Sequence, residues 1–174
     1  MKGLANWIMV IGGLIIGITV FYVGVNLLVK QMRSIQTQTV IEEVQDFHNQ
    51  ISSVCKMGYG HKRSYIITLP DNVRAVYSAN KSAEPPPDKV SVLITKKEMS
   101  IGNYTCLQFF NNNLPLCQYN GCYANFTYIG SPSMKSTLQT ILSRLRGDYP
   151  SYVYEVNIQK IGPYLIDVVS EPKP

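Results

Sequence analysis

Residues 4–29 read LANWIMVIGGLIIGITVFYVGVNLLV, a run of 26 residues without an acidic or basic side chain. As an α-helix with a rise of about 1.5 Å per residue the run is about 39 Å long, and the hydrocarbon core of a bilayer is about 30 Å thick. A secretory signal has a shorter apolar region followed by a cleavage site, and no such break precedes Lys30. The run therefore predicts a retained transmembrane anchor at residues 1–33, with the lipid bilayer as its first partner.

The charges outside this run show where the net charge of +5 resides. Lys2, Lys30 and Arg33 are the only charged residues before position 34, and every acidic residue lies at or beyond Glu42. Removing those three cations leaves 13 basic and 11 acidic residues, so the rest of the chain is nearly neutral. Because the flanking cations are almost balanced, the positive-inside rule does not decide the orientation.

Sequons and cysteines do decide the predicted orientation. Three sequons lie within 48 residues, and the chain has an even set of four cysteines. Both features are typical of an extracytoplasmic domain. We therefore predict a single-pass cell-membrane protein with a cytoplasmic N-terminus and an extracytoplasmic glycoprotein head. The predicted acceptors are Asn80, Asn103 and Asn125.

Small residues mark one face of the predicted membrane helix. Gly13 and Gly17 form a GxxxG pair, and Gly24 follows seven residues later on nearly the same face. Glycine allows two membrane helices to approach closely and gain van der Waals contact. This face predicts packing against other transmembrane helices or copies of the same chain.

An amphipathic helix is predicted at residues 34–60. Its apolar residues recur at spacings of four and three, while acidic and amide side chains occupy the other faces. Gly58 and Gly60 end the pattern, and the stripe is expected to pack against the domain that follows. The stripe consists of Val40, Val44, Phe47, Ile51 and Val54.

The pattern beyond this helix predicts an α+β head over residues 61–174. Turn residues separate short apolar segments that are typical of strands, and Ser131-Pro132 opens a second helix that Gly147 closes. Residues 111–121 are expected to form a loop, and the last two strands a closing hairpin. Predicted strands are residues 64–69, 73–77, 90–95, 104–110, 123–129, 152–160 and 164–169. The complete prediction is a transmembrane helix that continues into a stalk helix, followed by a mostly antiparallel β head.

Two disulfides are predicted from the four cysteines, since an extracytoplasmic compartment is oxidising. Four cysteines allow three pairings, and the sequence does not choose among them. If Cys55 is paired, its partner lies in residues 106–122 and the bridge closes a loop of about 50 to 70 residues, worth about 4 kcal/mol. The cysteines are Cys55, Cys106, Cys117 and Cys122.

Metal binding is the alternative use of these cysteines. Zinc sites usually combine two close Cys or His pairs, and Cys117-x4-Cys122 supplies only one approximate pair. Copper would need Cys55, Met57 and His61 together with a distant second histidine. The spacing does not favour either site, so no metal and no cofactor is predicted.

No catalytic motif is present in the sequence. It has no glycine-rich phosphate loop, nucleophile elbow, HExxH motif or paired carboxylates, and only two histidines. Its cations form small scattered groups on a nearly neutral head, which is unlike a nucleic-acid-binding surface. We therefore predict a non-enzymatic protein with no nucleic-acid partner and no identified small-molecule substrate.

The N-terminus resembles the class III signal peptides of archaeal type IV pilin-like proteins. Lys2-Gly3 stands directly before the apolar run, and the resemblance implies cleavage between Gly3 and Leu4, after which the helix enters a filament core. Residues 51–70, with Cys55, Gly58 and Gly60, are similar to the helix-to-strand junction of archaeal surface proteins with such N-termini. The resemblance covers about residues 1–77.

These observations favour an accessory or structural subunit of a cell-surface or membrane assembly. A pilin-like filament subunit cleaved after Gly3 is the first alternative. A redox or metal-binding ectodomain with a reduced Cys55 is the second.

Overall fold

The computed structural model describes residues 2–81, 84–131 and 151–173, which form an α+β structure. The chain is divided into two compact units, Met1–Thr39 and Val40–Pro174. The elements in chain order are α1 (Lys2–Lys56), β1 (Lys62–Pro70), β2 (Val73–Ala79), α2 (Pro87–Lys96), β3 (Met99–Phe109), β4 (Leu116–Thr127), β5 (Ile129–Gly130), β6 (Ser151–Lys160) and β7 (Leu165–Pro172).

The first unit consists of the N-terminal part of α1. Its 20-residue stretch Met9–Leu28 is apolar enough to cross a membrane, and none of the stretch is buried. Thr19 does not interrupt the apolar surface, because its hydroxyl donates to the carbonyl of Ile15 at 2.8 Å. The predicted N-terminal apolar helix is therefore present.

The C-terminal part of α1 supplies the core of the second unit. The stripe residues Val40, Phe47, Ile51 and Val54 are at most 2% exposed. Phe47 stacks on Tyr65 and meets Phe126 edge-on, with ring centroids 5.7 Å apart in both pairs. The helix ends at Lys56, and Gly60 then turns the chain with a φ of +81°, a value that side chains rarely permit.

Seven strands form one mixed sheet in the order β1-β6-β7-β4-β3-β2-β5. The neighbours β4 and β7 are parallel, and the other described pairs are antiparallel. One face of the sheet packs on α1, and α2 covers part of the other face through Val90 and Ile94.

The sheet is strongly curved. Only two residues, Asp71 and Asn72, separate β1 from β2, although these strands lie near opposite edges of the sheet. The hydroxyl of Tyr154 in β6 donates to the carbonyl of Gly130 in β5 at 3.0 Å. Gly102 lies at a bulge in β3, where a Cβ would be 2.1 Å from the backbone of Ala79, so only glycine fits. The two edges therefore approach each other around the C-terminal part of α1.

The strand predicted at residues 90–95 is wrong, because these residues belong to α2. Pro87 occupies the start of the helix, where a missing N–H costs nothing, and Asp88 favours the first turn. The strand was predicted from the alternation of Val90, Val92 and Ile94. In the fold Val90 and Ile94, which are four residues apart as on one face of a helix, are buried, whereas Val92 is 52% exposed.

The loop predicted at residues 111–121 is also too long. β4 begins at Leu116, and residues 116–119 pair with residues 104–107 of β3. The segment has the composition of a loop because it contains Pro115, Asn120 and Gly121. It is nevertheless a strand, since its backbone pairs with β3. The remaining predicted strands overlap β1, β2, β3, β4 with β5, β6 and β7, although Phe110 and Tyr164 lie just outside β3 and β7. The helix predicted after Ser131 lies outside the described residues.

Candidate functional site

The four cysteines form two pairs at disulfide-bonding distance. Cys55, in the last turn of α1, pairs with Cys122 of β4 across 67 residues, and its sulfur atoms are 1.96 Å apart. Cys106 and Cys117 face each other on β3 and β4, with the sulfurs at 2.06 Å. The sequence left this pairing open, and the two bonds join α1 to the sheet and close the β3–β4 hairpin.

The metal-binding alternative needs a free cysteine thiolate and a cluster of ligand side chains. Cys55 is bonded to Cys122 and is not a free thiolate, as the metal alternative requires. Among the described residues, no three His, Cys, Asp or Glu side chains come together as a metal site would need. His61 is exposed and His48 is buried in α1.

The three predicted glycan acceptors differ in accessibility. Asn80 directly follows β2 and is exposed. Asn103 is partly buried, and its side-chain oxygen is buried. Asn125 donates from its amide nitrogen to Asp167 at 2.9 Å. Asn80 is therefore the most exposed of the three residues.

The glycines of the predicted helix-packing face are open to contact. A Cβ added at Gly13, Gly17 or Gly24 would meet no atom within 4 Å. Lys2, Gly3 and Leu4 lie in the first turn of α1, and cleavage between Gly3 and Leu4 stays a prediction.

A groove of about 300 Å³ lies between α1 and the β3–β4 hairpin, and we call it the α1 groove. Its apolar lining includes Ile41 and Leu116, which are 38% and 46% exposed and leave the groove open to solvent. Its polar lining includes Gln45 and Gln118, whose carboxamides are hydrogen-bonded to each other. Such a groove offers apolar walls and hydrogen-bonding groups to one aromatic side chain or small molecule.

His48 forms part of the lining and belongs to a buried polar cluster. Ser52 Oγ lies 3.3 Å from its Nε2, and Thr105 donates to Asn120 at 2.7 Å within the same region. Burial lowers the pKa of His48, and the neighbouring Asn120 side chain opposes that shift in part. The ring is therefore held neutral, and no nucleophilic thiol accompanies it, since Cys117 is disulfide-bonded.

Tyrosines are numerous, but two of them are plainly structural. Tyr77 and Tyr128 stack with centroids 5.1 Å apart, and burial raises the pKa of both to about 12. Phenols with such pKa values stay protonated at neutral pH, so they do not serve as bases.

The opposite end of the domain is exposed and cationic. Tyr59 lies between Gly58 and Gly60, just after α1, and is 81% exposed. Lys56 and Lys62 beside it are also exposed. Lys160 is instead buried and donates from Nζ to the carbonyl of Cys55, where a cation stabilises the C-terminus of a helix.

Sequence reasoning missed both the groove and this cationic end. Gln45 and Gln118 are 73 residues apart, and no local pattern announces that their side chains meet. In the sequence Lys56 and Lys62 resemble scattered charges. The absence of any acidic residue from residues 47–70 is the signal that could have predicted a cationic surface around Tyr59.

Comparisons with protein-family models, with curated proteins and with solved structures find no match to this chain.

Proposed function

We propose that this protein is a non-enzymatic, single-pass membrane protein whose extracytoplasmic head is an accessory or structural subunit of a cell-surface or membrane assembly. The observation that carries the proposal is α1, one helix of 55 residues with two different surroundings. Over Met9–Leu28 it exposes apolar side chains throughout, and over residues 40–54 the same helix forms the core of a folded domain.

Physical chemistry supports the membrane part of the proposal. Twenty residues of helix measure about 30 Å, which matches a hydrocarbon core. An exposed apolar surface of this extent is unfavourable in water and calls for lipid or another protein. The two cysteine pairs favour an oxidising compartment for the head.

Charge substitution within the span tests the anchor. We expect Ile15→Lys/Ile18→Lys to move the full-length chain from the alkali-resistant membrane fraction to the soluble fraction, because each central lysine costs about 2.5–3.5 kcal/mol in insertion. Val92→Lys is the matched control, since Val92 is 52% exposed on α2. A double variant that stays membrane-bound would contradict the anchor.

Protease treatment of intact cells tests the orientation. A head outside the membrane is digested without lysis, whereas a cytoplasmic head is digested only after lysis. Protection of the head in intact cells would overturn the proposed localisation.

A pilin-like filament subunit is the second candidate. It is favoured by the same exposed apolar part of α1 with its open glycine face at Gly13 and Gly17, which could pack against identical helices in a filament core. This candidate predicts a mature chain that begins at Leu4. An intact mass that includes Met1, Lys2 and Gly3 would reject it in favour of an uncleaved membrane subunit.

A further inference from the structure

The end of the domain at which α1 stops, which we call the cationic end, concentrates positive charge. Exposed cations lie there, and the chain segments that form this end contain no acidic residue. Asp167, two strands away from Lys62 in the register, already accepts a hydrogen bond from Asn125. The rest of the head has nearly balanced charges, so the cationic end favours an anionic partner. The segments are residues 56–63, 120–124 and 158–166, and the exposed cations are Lys56, Lys62 and Arg63.

Backbone hydrogen bonds hold these segments together. The N–H of Gly60 donates to the carbonyl of Lys160 at 3.0 Å, and the N–H of Lys160 donates to the carbonyl of His61 at 2.9 Å. The N–H of Tyr123 donates to the carbonyl of Tyr164 at 2.8 Å. The disulfide at the end of α1 is bonded to the same part of β4. The cationic end is therefore formed before a ligand arrives, which lowers the entropy cost of binding.

Tyrosine rings are exposed on the same segments. Tyr59 is 81% exposed, Tyr164 is 74% exposed and Tyr123 is 48% exposed. Glycines on both sides of Tyr59 leave its ring without adjacent side chains. A tyrosine offers an apolar ring face together with a hydroxyl that can donate or accept a hydrogen bond. The surface thus combines cations with flat amphipathic rings.

A carboxylated polysaccharide has the chemistry that matches this surface. Its carboxylates suit the lysines, and its sugar rings present C–H faces and hydroxyls to the tyrosines. Single exposed ion pairs contribute only about 0.2–1 kcal/mol, so one charged group would bind weakly. A polymer repeats the same groups along its length, and several weak contacts made by one chain add to a useful affinity.

We propose that the cationic end binds an anionic polysaccharide. Carboxylates of the polymer pair with Lys56 and Lys62, and its sugar rings stack on Tyr59 and Tyr164. The inference rests on the proposed function, which places the head outside the membrane, where a cell-surface polymer is in reach. It adds the chemical class of a ligand that the head holds within the proposed surface assembly.

Binding of polygalacturonate fragments to the full-length protein in a nonionic detergent tests this site. We expect polygalacturonate to bind more tightly than dextran, which has sugar rings without charge. We also expect it to bind more tightly than polyglutamate of equal charge, which has carboxylates without sugar rings. The affinity should fall as the salt concentration rises, because the ion pairs are exposed to solvent.

Two double variants separate the rings from the charges. Tyr59→Ala/Tyr164→Ala should raise the Kd for polygalacturonate about tenfold, a change of about 1.4 kcal/mol, and leave the Kd for polyglutamate unchanged. Lys56→Gln/Lys62→Gln should raise the Kd for both polymers about fivefold, a change of about 1 kcal/mol.

The matched controls remove the same groups from other surfaces. Lys89→Gln/Lys96→Gln takes two exposed lysines from α2, and Tyr119→Ala takes a 59% exposed tyrosine from the hairpin part of β4. We expect neither control to change the Kd for polygalacturonate. Because every substituted side chain is exposed, the thermal unfolding midpoints of test and control variants should agree.

Three results would overturn the polysaccharide site. These are equal affinities for polygalacturonate and polyglutamate, equal effects of the test and control variants, and tighter binding of single-stranded DNA of equal charge. An anchored, protease-accessible head that does not bind polygalacturonate would reject the site and leave the proposed function standing. A head that is protected from protease in intact cells would reject both.

Discussion

His48 makes the stability of the domain depend on pH. Burial lowers the pKa of its imidazole in the folded chain, so the unfolded chain, with a pKa near 6.5, binds a proton more readily. The stabilisation from the neutral ring is thus complete above pH 6.5 and is lost as the pH falls through the folded pKa. We expect the midpoint of thermal unfolding in detergent to fall over this range, and to fall less in His48→Gln.

Glu43 supplies the contrasting control for that experiment. Burial raises its pKa, although the N–H of Thr68 donates to its carboxylate at 2.6 Å and opposes the shift. Its contribution to stability is present below pH 4.5, the ordinary pKa of a glutamate carboxyl, and is lost as the pH rises through the folded pKa. Glu43→Gln should therefore change the acidic end of the stability profile and leave in place the loss that His48 causes below pH 6.5. An unchanged profile in His48→Gln would contradict the role of the imidazole.

The three sequons should not be used equally. A glycan is attached to the side-chain nitrogen of asparagine. Asn80 is an exposed residue, whereas the side-chain nitrogen of Asn125 donates to Asp167. We expect Asn80→Gln to remove one glycan from the intact mass and Asn125→Gln to leave the mass of the glycans unchanged. Glycopeptides that carry sugar at Asn125 but not at Asn80 would refute this order.

The burial of single residues could be predicted where apolar residues repeat at a regular spacing in the sequence. Val40, Phe47 and Val54 follow helical spacing, so their common burial could be read from the sequence. Contacts such as Gln45 with Gln118 depend on how the chain folds back, and spacing carries no signal of them. The four cysteines were recognisable, but their pairing needed the register of β3 and β4.

At the scale of elements, the two disulfides should contribute unequally to stability. Cross-linking removes more chain entropy when it closes a longer loop, and the loops here span 67 and 11 residues. We expect Cys55→Ser/Cys122→Ser to lower the free energy of unfolding by about 4 kcal/mol and Cys106→Ser/Cys117→Ser by about 3 kcal/mol. Urea unfolding of the full-length chain in detergent measures both losses.

A larger loss for the hairpin pair would contradict that ranking. It would mean that Cys106–Cys117 secures β3 against β4 beyond its effect on the unfolded chain. The single variants Cys55→Ser and Cys122→Ser serve as controls, because each removes the bond but leaves one thiol.

The helix α2 shows why one element was predicted wrongly. Valine and isoleucine favour strands, and Val90, Val92 and Ile94 alternate as strand residues do. The three prolines before them set a different start, since Pro86 is extended and Pro87 begins the helix. Burial of Val90 and Ile94 on the sheet then outweighed the local propensity.

At the scale of the whole molecule, the sequence allows the α+β fold class to be predicted but not the order of the strands in the sheet. An apolar helix followed by an α+β domain could be predicted from composition and periodicity. The insertion of β6 and β7 between β1 and β4 could not, because strand order depends on long-range pairing and not on local pattern. The parallel pair of β4 and β7 is the part of the sheet that a mostly antiparallel prediction omits.

This strand order also determines when the domain can be completed during synthesis. β1 ends at Pro70, yet its described neighbour in the sheet is β6, which begins at Ser151. A nascent chain that has not reached Ser151 lacks the strand that carries the core residues Val156 and Ile158 and that pairs with the edge of β1. A truncated chain therefore exposes apolar surface and an unpaired strand edge, both of which quality-control proteins recognise. Only the full-length chain buries this surface and pairs this edge.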